Sequence, residues 1–323
     1  MRIAAVLFAA LGILSARSLV YEGRNGPGRG KHIVFVVGDQ EYRSEESMPA
    51  LARILAERHG FRCTVLLPIN PQTGEIDPAT IDNIPGLEAL RSADLMVLFT
   101  RWLELPDDQM KEIVDYTNSR RPIVAIRTAT HPFNYRKRKD SPYAKYRYNN
   151  TEFAGGYGRQ VLGETWVRHY GQHQKESTRG VVATGMEHHP ILRGVRDIWG
   201  MSDVYSVTTL TGDTRPLVMG QVLIGMTPDS APDPAKVLMP IAWTKSYTGD
   251  SGKKDRIFTT TMGHALDFRN EGFRRLLINA CYWAAGLEKK ISPSASVELI
   301  ESYQPNPIGE GKFKTGRRPE DLK

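Results

Sequence analysis

The stretch HIVFVVGDQEY, residues 32–42, decides how this chain folds. His32 to Val37 is a short apolar run halted by Gly38-Asp39, the pattern of a strand buried on both faces. A helix is predicted next, over Ser44 to His59. Met48, Leu51, Ala52 and Leu55 share one of its faces, Ser44 offers a cap and Gly60 a stop. Outward from there the alternation repeats. Cys63 to Leu67 and Asp94 to Thr100 read as the second and third strands. Pro106, Asp107 and Asp108 mark the start of a helix whose dipole favours acids there, with Met110, Ile113 and Val114 on its core side. Pro122 to Ile126 is the fourth strand. Apolar strands spaced by amphipathic helices predict a doubly wound α/β fold with a mainly parallel sheet.

The C-terminal half reads differently. Gly180–Ala183, Asp203–Val207, Leu217–Leu223, Met239–Trp243 and Arg256–Thr261 are short strand candidates that extend the sheet or flank it as antiparallel strands. Phe273, Leu276, Leu277, Ala280, Trp283 and Ala284 fall at helical spacing, and Gly286 ends that helix. Residues 31–287 make one α/β domain, and 288–323 form a Pro-, Gly- and Lys-rich tail that wraps the surface.

The ends and the composition bound the rest. Met1-Arg2, the apolar run Ile3–Leu14 and Ala16-Arg17-Ser18 read as an export signal over 1–18, followed by a Gly-rich flexible leader over 19–30. The expected location is therefore periplasmic or secreted, with no membrane span in the mature chain. The 323 residues carry 43 Lys and Arg against 36 Asp and Glu, a net charge of +7, too modest and scattered to suggest nucleic acid. Even Arg136-Lys137-Arg138-Lys139, with Tyr143, Tyr146 and Tyr148 after it, reads as a solvated face. Two cysteines, Cys63 and Cys281, cannot build a disulfide framework or a four-thiolate site.

In an open parallel sheet, ligands bind beyond the carboxyl ends of the strands. Strand one ends in Asp39-Gln40-Glu41-Tyr42, strand three in Arg101-Trp102, and strand four in Arg127-Thr128-Ala129-Thr130-His131. Carboxylates, arginines, an aromatic and a histidine thus converge on one edge, although some could instead pair locally, as Glu41 with Arg43. The turn after strand four holds neither Cys nor Ser, which argues against acyl-enzyme chemistry. Of eight histidines, His131, His169, His173, His189 and His264 stand in polar surroundings. His169 and His173 are four apart, as metal ligands on a helix would be, but Gly171 intervenes and no H-E-x-x-H pattern is present. No cofactor is required on this reading. A divalent cation held by His169, His173 and His264 stays open beside a histidine general base.

Several segments together resemble the ThuA-like, or trehalose-utilisation, family within the class I glutamine-amidotransferase-like superfamily. They are GDQEYRSEES from Gly38, RTATHPF from Arg127, GGYGRQVLGETWVRHYG from Gly155, HPILRGV from His189, DVY from Asp203, AWTK from Ala242 and RIFTTTMGHA from Arg256. The resemblance spans Lys31 to Leu287. It implies a flavodoxin-like sheet without the amidotransferase cysteine, and a carbohydrate role linked to 3-keto sugars. Arg127 departs from the histidine that such members often carry at this turn. On that footing the expected enzyme cleaves oxidised disaccharides or glycosides, with His131 or His169 as base. Arg127 or Arg101 would steady an enolate, and Asp203 or Glu41 would act as acid or orienter. Asp39, Gln40, Tyr42, Arg101, Trp102, Tyr205, Trp243 and His264 would bind the sugar, with Trp166 as a further stacking platform. A non-catalytic sugar-binding module and a metal-dependent hydrolase are the alternatives. A homo-oligomer is compatible with the sequence.

Overall fold

The computed structural model describes residues 18–323 apart from 251 and 253. The expected export signal therefore lies, up to residue 17, outside the described residues. Ten strands form one mixed sheet. In chain order they are β1 (Leu19–Tyr21), β2 (His32–Gly38), β3 (Arg62–Leu66), β4 (Leu95–Thr100), β5 (Ile123–Ile126), β6 (Ser177–Val182), β7 (Trp199–Gly200), β8 (Arg215–Leu223), β9 (Met239–Thr248) and β10 (Lys254–Thr260). Three α-helices accompany them: α1 (Ser44–Glu57), α2 (Asp107–Asn118) and α3 (Glu271–Ala284).

The spatial order is β1-β3-β2-β4-β5-β10-β9-β8-β6-β7. The block β3-β2-β4-β5-β10 is parallel, while β1 and the run β9-β8-β6-β7 pair antiparallel. Half of the strands thus lie outside the parallel block, which corrects the expectation of a mainly parallel sheet. The C-terminal strands follow one another through hairpins and loops rather than helical crossovers, so they return antiparallel.

The parallel block owes its burial to period-two alternation. Ile33, Phe35 and Val37 pack on one face with α1 and α3, and Val34 and Val36 on the other with Met110 and Ile113 of α2. All four apolar positions expected on α1 are fully buried. Gly60, at φ 80°, ends that helix in a conformation that only glycine adopts without penalty. At α3 the Asn270 side chain accepts the Phe273 N–H, a cap that satisfies one orphan donor of the first turn.

Two sequence expectations need correction, and one strand escapes the sequence altogether. Leu19–Tyr21, the start of the expected flexible leader, is the edge strand β1, with Leu19 buried. Asp203–Val207 is a loop that bonds the loop at 168–171, with an isolated antiparallel bridge between Tyr205 and His169. Strand β7 passes unnoticed in sequence because two residues carry no periodicity. Cys63 and Cys281 are free, buried thiols. No helix among the described residues is long and apolar enough to cross a membrane.

Candidate functional site

Because the parallel strands run in register, their carboxyl ends deliver consecutive turns to one place. The first turn is tied by Asp39, which is fully buried. Its Oδ1 accepts the N–H groups of Glu41 and Tyr42, and its Oδ2 accepts the Thr128 hydroxyl at 2.7 Å. Both oxygens are thereby engaged in joining the turn after β2 to the turn after β5. Asp39 holds the site together and does not face a ligand, contrary to the sugar-binding role expected for it.

Three non-glycine residues at these turns sit in the left-handed region: Arg43 (φ 61°), Trp102 (φ 51°) and Arg127 (φ 49°). Such strain persists only where the surroundings over-determine it, and it gathers at functional sites. The Arg127 guanidinium is fully buried between the rings of Tyr42 and Tyr205, 4.6 and 3.9 Å from their centres. It donates to the carbonyls of Asp203 (2.8 Å) and Thr261 (2.7 Å), to Asp203 Oδ1 (2.7 Å) and to the Tyr42 hydroxyl (3.2 Å). A group so enclosed cannot meet an enolate, so the expected role of Arg127 is corrected to that of a pillar. Tyr42 and Tyr205, both buried, stack on this guanidinium, and Tyr42 also lines a cavity. Trp243 is fully buried as well, its indole N–H donating to the Leu162 carbonyl at 2.7 Å. It is core, not a stacking platform.

Asp203 gathers the charged groups. Its Oδ1 takes Arg127 and His173 Nδ1 (2.9 Å), and its Oδ2 takes His169 Nδ1 (2.6 Å). Gly171 lets the loop lie this close, since a Cβ there would come within 3.2 Å of the Asp203 Cβ. Burial would raise the Asp203 carboxyl, but the Arg127 charge and the two histidine bonds outweigh it and hold it well below the carboxylate range. His173 Nε2 lies 3.2 Å from Glu41 Oε1. Its bonds to Asp203 and then Glu41 lift the imidazole to about 9, so it is a cation at neutral pH. Glu41 is itself lowered: burial opposes its charge, but His173 and Arg101 prevail. Asp203 and Glu41 are therefore both ionised. That fits an orienter and corrects the expectation of a carboxylic acid donor.

His131 is buried among Trp102, Tyr148, Trp166 and Tyr205, with ring centres 5.2–6.2 Å away. Burial first, then the charges of Arg101 and Arg127, push its imidazole well below the usual value. His264 is likewise neutral, lowered to about 3 mainly by burial, and its Nδ1 accepts the Leu266 N–H. His189 sits in a surface turn, accepting the Ile191 N–H. Arg101 stacks on Trp102 at 3.9 Å and pairs with Glu41 (3.2 Å) and Glu310 (2.9 Å), while Gln40 donates to the Arg101 carbonyl. Both arms of Arg101 are thus matched by carboxylates.

The donor set His169, His173 and Asp203 lies within 4.8 Å and is the group of described residues close enough to share a cation. His264, the third member of the expected trio, is not part of this cluster. Two imidazoles and a carboxylate suit a divalent ion such as zinc, provided both Nδ1 protons are lost.

Two cavities open on this edge. One, of about 270 Å³, is lined by Tyr42, His173, Asp203 and His264; the other, of about 490 Å³, by Gln40, Trp102, Asn134 and Arg136. The C-terminal tail walls both. Glu310 and its neighbours escaped the sequence reading because a Pro- and Gly-rich tail carries no periodic signal that places it at a site.

A family model described as ThuA, trehalose utilisation, matches residues 31–284. No curated protein matches the chain. Among solved structures, a ThuA-like protein from Parabacteroides merdae is similar, with 14% identity, 91% of this chain and 99% of that one covered, and a TM-score of 0.48. Another from Bacteroides uniformis gives 14% identity, coverages of 84% and 96%, and a TM-score of 0.49.

Proposed function

The chain belongs to the ThuA family, and on that footing we propose that it is an exported enzyme of carbohydrate use, cleaving 3-keto disaccharides or glycosides by histidine acid–base chemistry. A flavodoxin-like reading of the parallel block goes with this proposal. The observation that carries the chemistry is the bond from His169 Nδ1 to Asp203 at 2.6 Å. A carboxylate on Nδ1 fixes the tautomer and leaves the Nε2 lone pair as the base. His169 is also part-exposed where His131 is buried, which selects it as the base.

In the proposed reaction the C3 carbonyl acidifies the C2 hydrogen, and His169 Nε2 accepts that proton. The electron pair forms the C1–C2 double bond as the C1–oxygen bond breaks. The departing oxygen is protonated from solvent, and the positive charge of the His173 imidazolium, both of whose N–H groups are held by carboxylates, favours the developing anion. The balance needs no oxidant or reductant.

A second reading rests on the same His169, His173 and Asp203 cluster, as a cation site supporting hydrolysis. One experiment separates them. The mature protein, residues 19–323, is incubated with matched panels of ordinary and 3-keto disaccharides, with and without chelator, and monosaccharide release is followed. Release from the keto panel alone, unchanged by chelator, is the expected result. Loss with chelator favours the cation reading. Calorimetric binding without release overturns both in favour of a sugar-binding module.

A further inference from the structure

The two cavities share one wall, and it lies beyond the family-matched residues 31–284. Pro307, Ile308 and Lys312 line the smaller cavity beside His173 and His264, and Glu310, Gly311 and Phe313 line the larger beside Trp102. The strap is fastened at its middle. Gly309 N–H donates to the Glu41 carbonyl at 2.9 Å, and Arg43 Nη2 donates to the Gly309 carbonyl at 3.0 Å. Gly309 has φ 120°, a conformation open to glycine, so the chain can bond on both sides at this crossing. Upstream, Asn306 donates through backbone and side chain to the Glu46 carboxylate (3.1 and 2.8 Å). Ile308 is buried, and Glu310 pairs with the arginine that stacks on Trp102.

We propose that this strap, Asn306–Phe313, divides the site into two sugar subsites. The larger chamber, between Trp102 and Phe313, would hold the second, leaving ring of a disaccharide. This rests on the function proposed above and adds the residues that choose the substrate's length. The chemistry suits a saccharide ring. Two aromatic side chains, Trp102 and Phe313, line it and supply apolar surface, while Gln40, Asn134 and Arg136 supply polar groups. The volume, about 490 Å³, lies in the range of ~300–1,000 Å³ usual for small-ligand sites. Glu310 is a positioning residue, acting through Arg101 on the Trp102 ring.

The test uses the full chain carrying His169→Ala, so that the probes are bound without being cleaved, and calorimetry with 3-keto-trehalose and 3-ketoglucose; this protein, otherwise unaltered, is the reference. The reference is expected to bind the disaccharide at least tenfold more tightly. Phe313→Ala should weaken the disaccharide at least tenfold while the monosaccharide stays within twofold. Glu310→Gln should show the same selectivity at about threefold. Phe313 is only part-buried and Glu310 exposed, so an unchanged unfolding midpoint is expected for both. Equal affinity of the reference for both probes, or equal losses for both in the variants, overturns the strap subsite and leaves the proposed reaction standing. Binding of neither probe overturns the proposed function, and the strap subsite falls with it.

Discussion

His169 and His131 share Trp166 and Tyr205 as neighbours and differ in burial and in hydrogen-bond partner. His169 has a carboxylate at 2.6 Å, whereas His131 has only the Thr130 hydroxyl at 3.2 Å and lies under two arginine charges. General-base catalysis is worth ~10²–10⁴ in rate. His169→Ala should lower kcat on a 3-keto disaccharide by at least 100-fold, and Asp203→Asn by a comparable factor, because the amide no longer selects the tautomer. His131→Asn should lower it less than tenfold. Steady-state kinetics checks all three, and the reverse ranking of His131 and His169 would sink the assignment. The residues that sequence placed at this edge do assemble there, but their roles were not legible. Asp39, Tyr42 and Arg127 follow strand ends, which is where ligands bind, and Tyr205 comes from a loop; only three-dimensional contacts reveal that Asp39 is spent on Thr128 and the turn, and that the two tyrosines enclose Arg127.

At the level of elements, α1 carries an unusual acid. Glu45, in its first turn, is buried with neither carboxylate oxygen hydrogen-bonded. Burial lifts its pKa to about 8, against the pull of Arg43 and with help from Glu46 and Asp39. A folded-state value above the unfolded 4.5 means a contribution that is full below pH 4.5 and lost as pH rises through about 8. Glu45→Gln should therefore raise the thermal midpoint by several degrees at pH 9 and leave it nearly unchanged at pH 5. Equal effects at both pH values would show that the carboxyl is not buried as described. The elements themselves were the most legible part of the chain. Strands β2 to β5 and all three helices announce themselves by short apolar runs or 3.6-residue patterning and by clear stops. The C-terminal strands were placed but not their direction, since an antiparallel return is set by loops and partners. The Leu19–Tyr21 strand was hidden by its Gly-rich sequel.

Across the whole molecule the sheet has a seam, where parallel β5 and β10 give way to antiparallel β9 and the strands beyond. Arg127 stands on the turn after β5, and Asp203 arrives from the loop after β7, at the far edge of the antiparallel run. Their bond is buried on both sides, with side-chain exposures of 0% and 1%. Breaking such a pair from one side strands a charge at a cost of ~3–5 kcal/mol, whereas neutralising both is far milder. Arg127→Met should therefore destabilise the chain by about that amount in urea unfolding. The double variant Arg127→Met with Asp203→Asn should recover at least ~1 kcal/mol of the loss, a coupling within the range found for residues in contact. His169 and His173 also bond Asp203, so the recovery will be partial. Additive losses would mean that the pair adds no coupling across the seam beyond the β9–β10 strand pairing. Recovery would mean that one buried pair both fastens the C-terminal half to the parallel block and holds the carboxylate that orients His169.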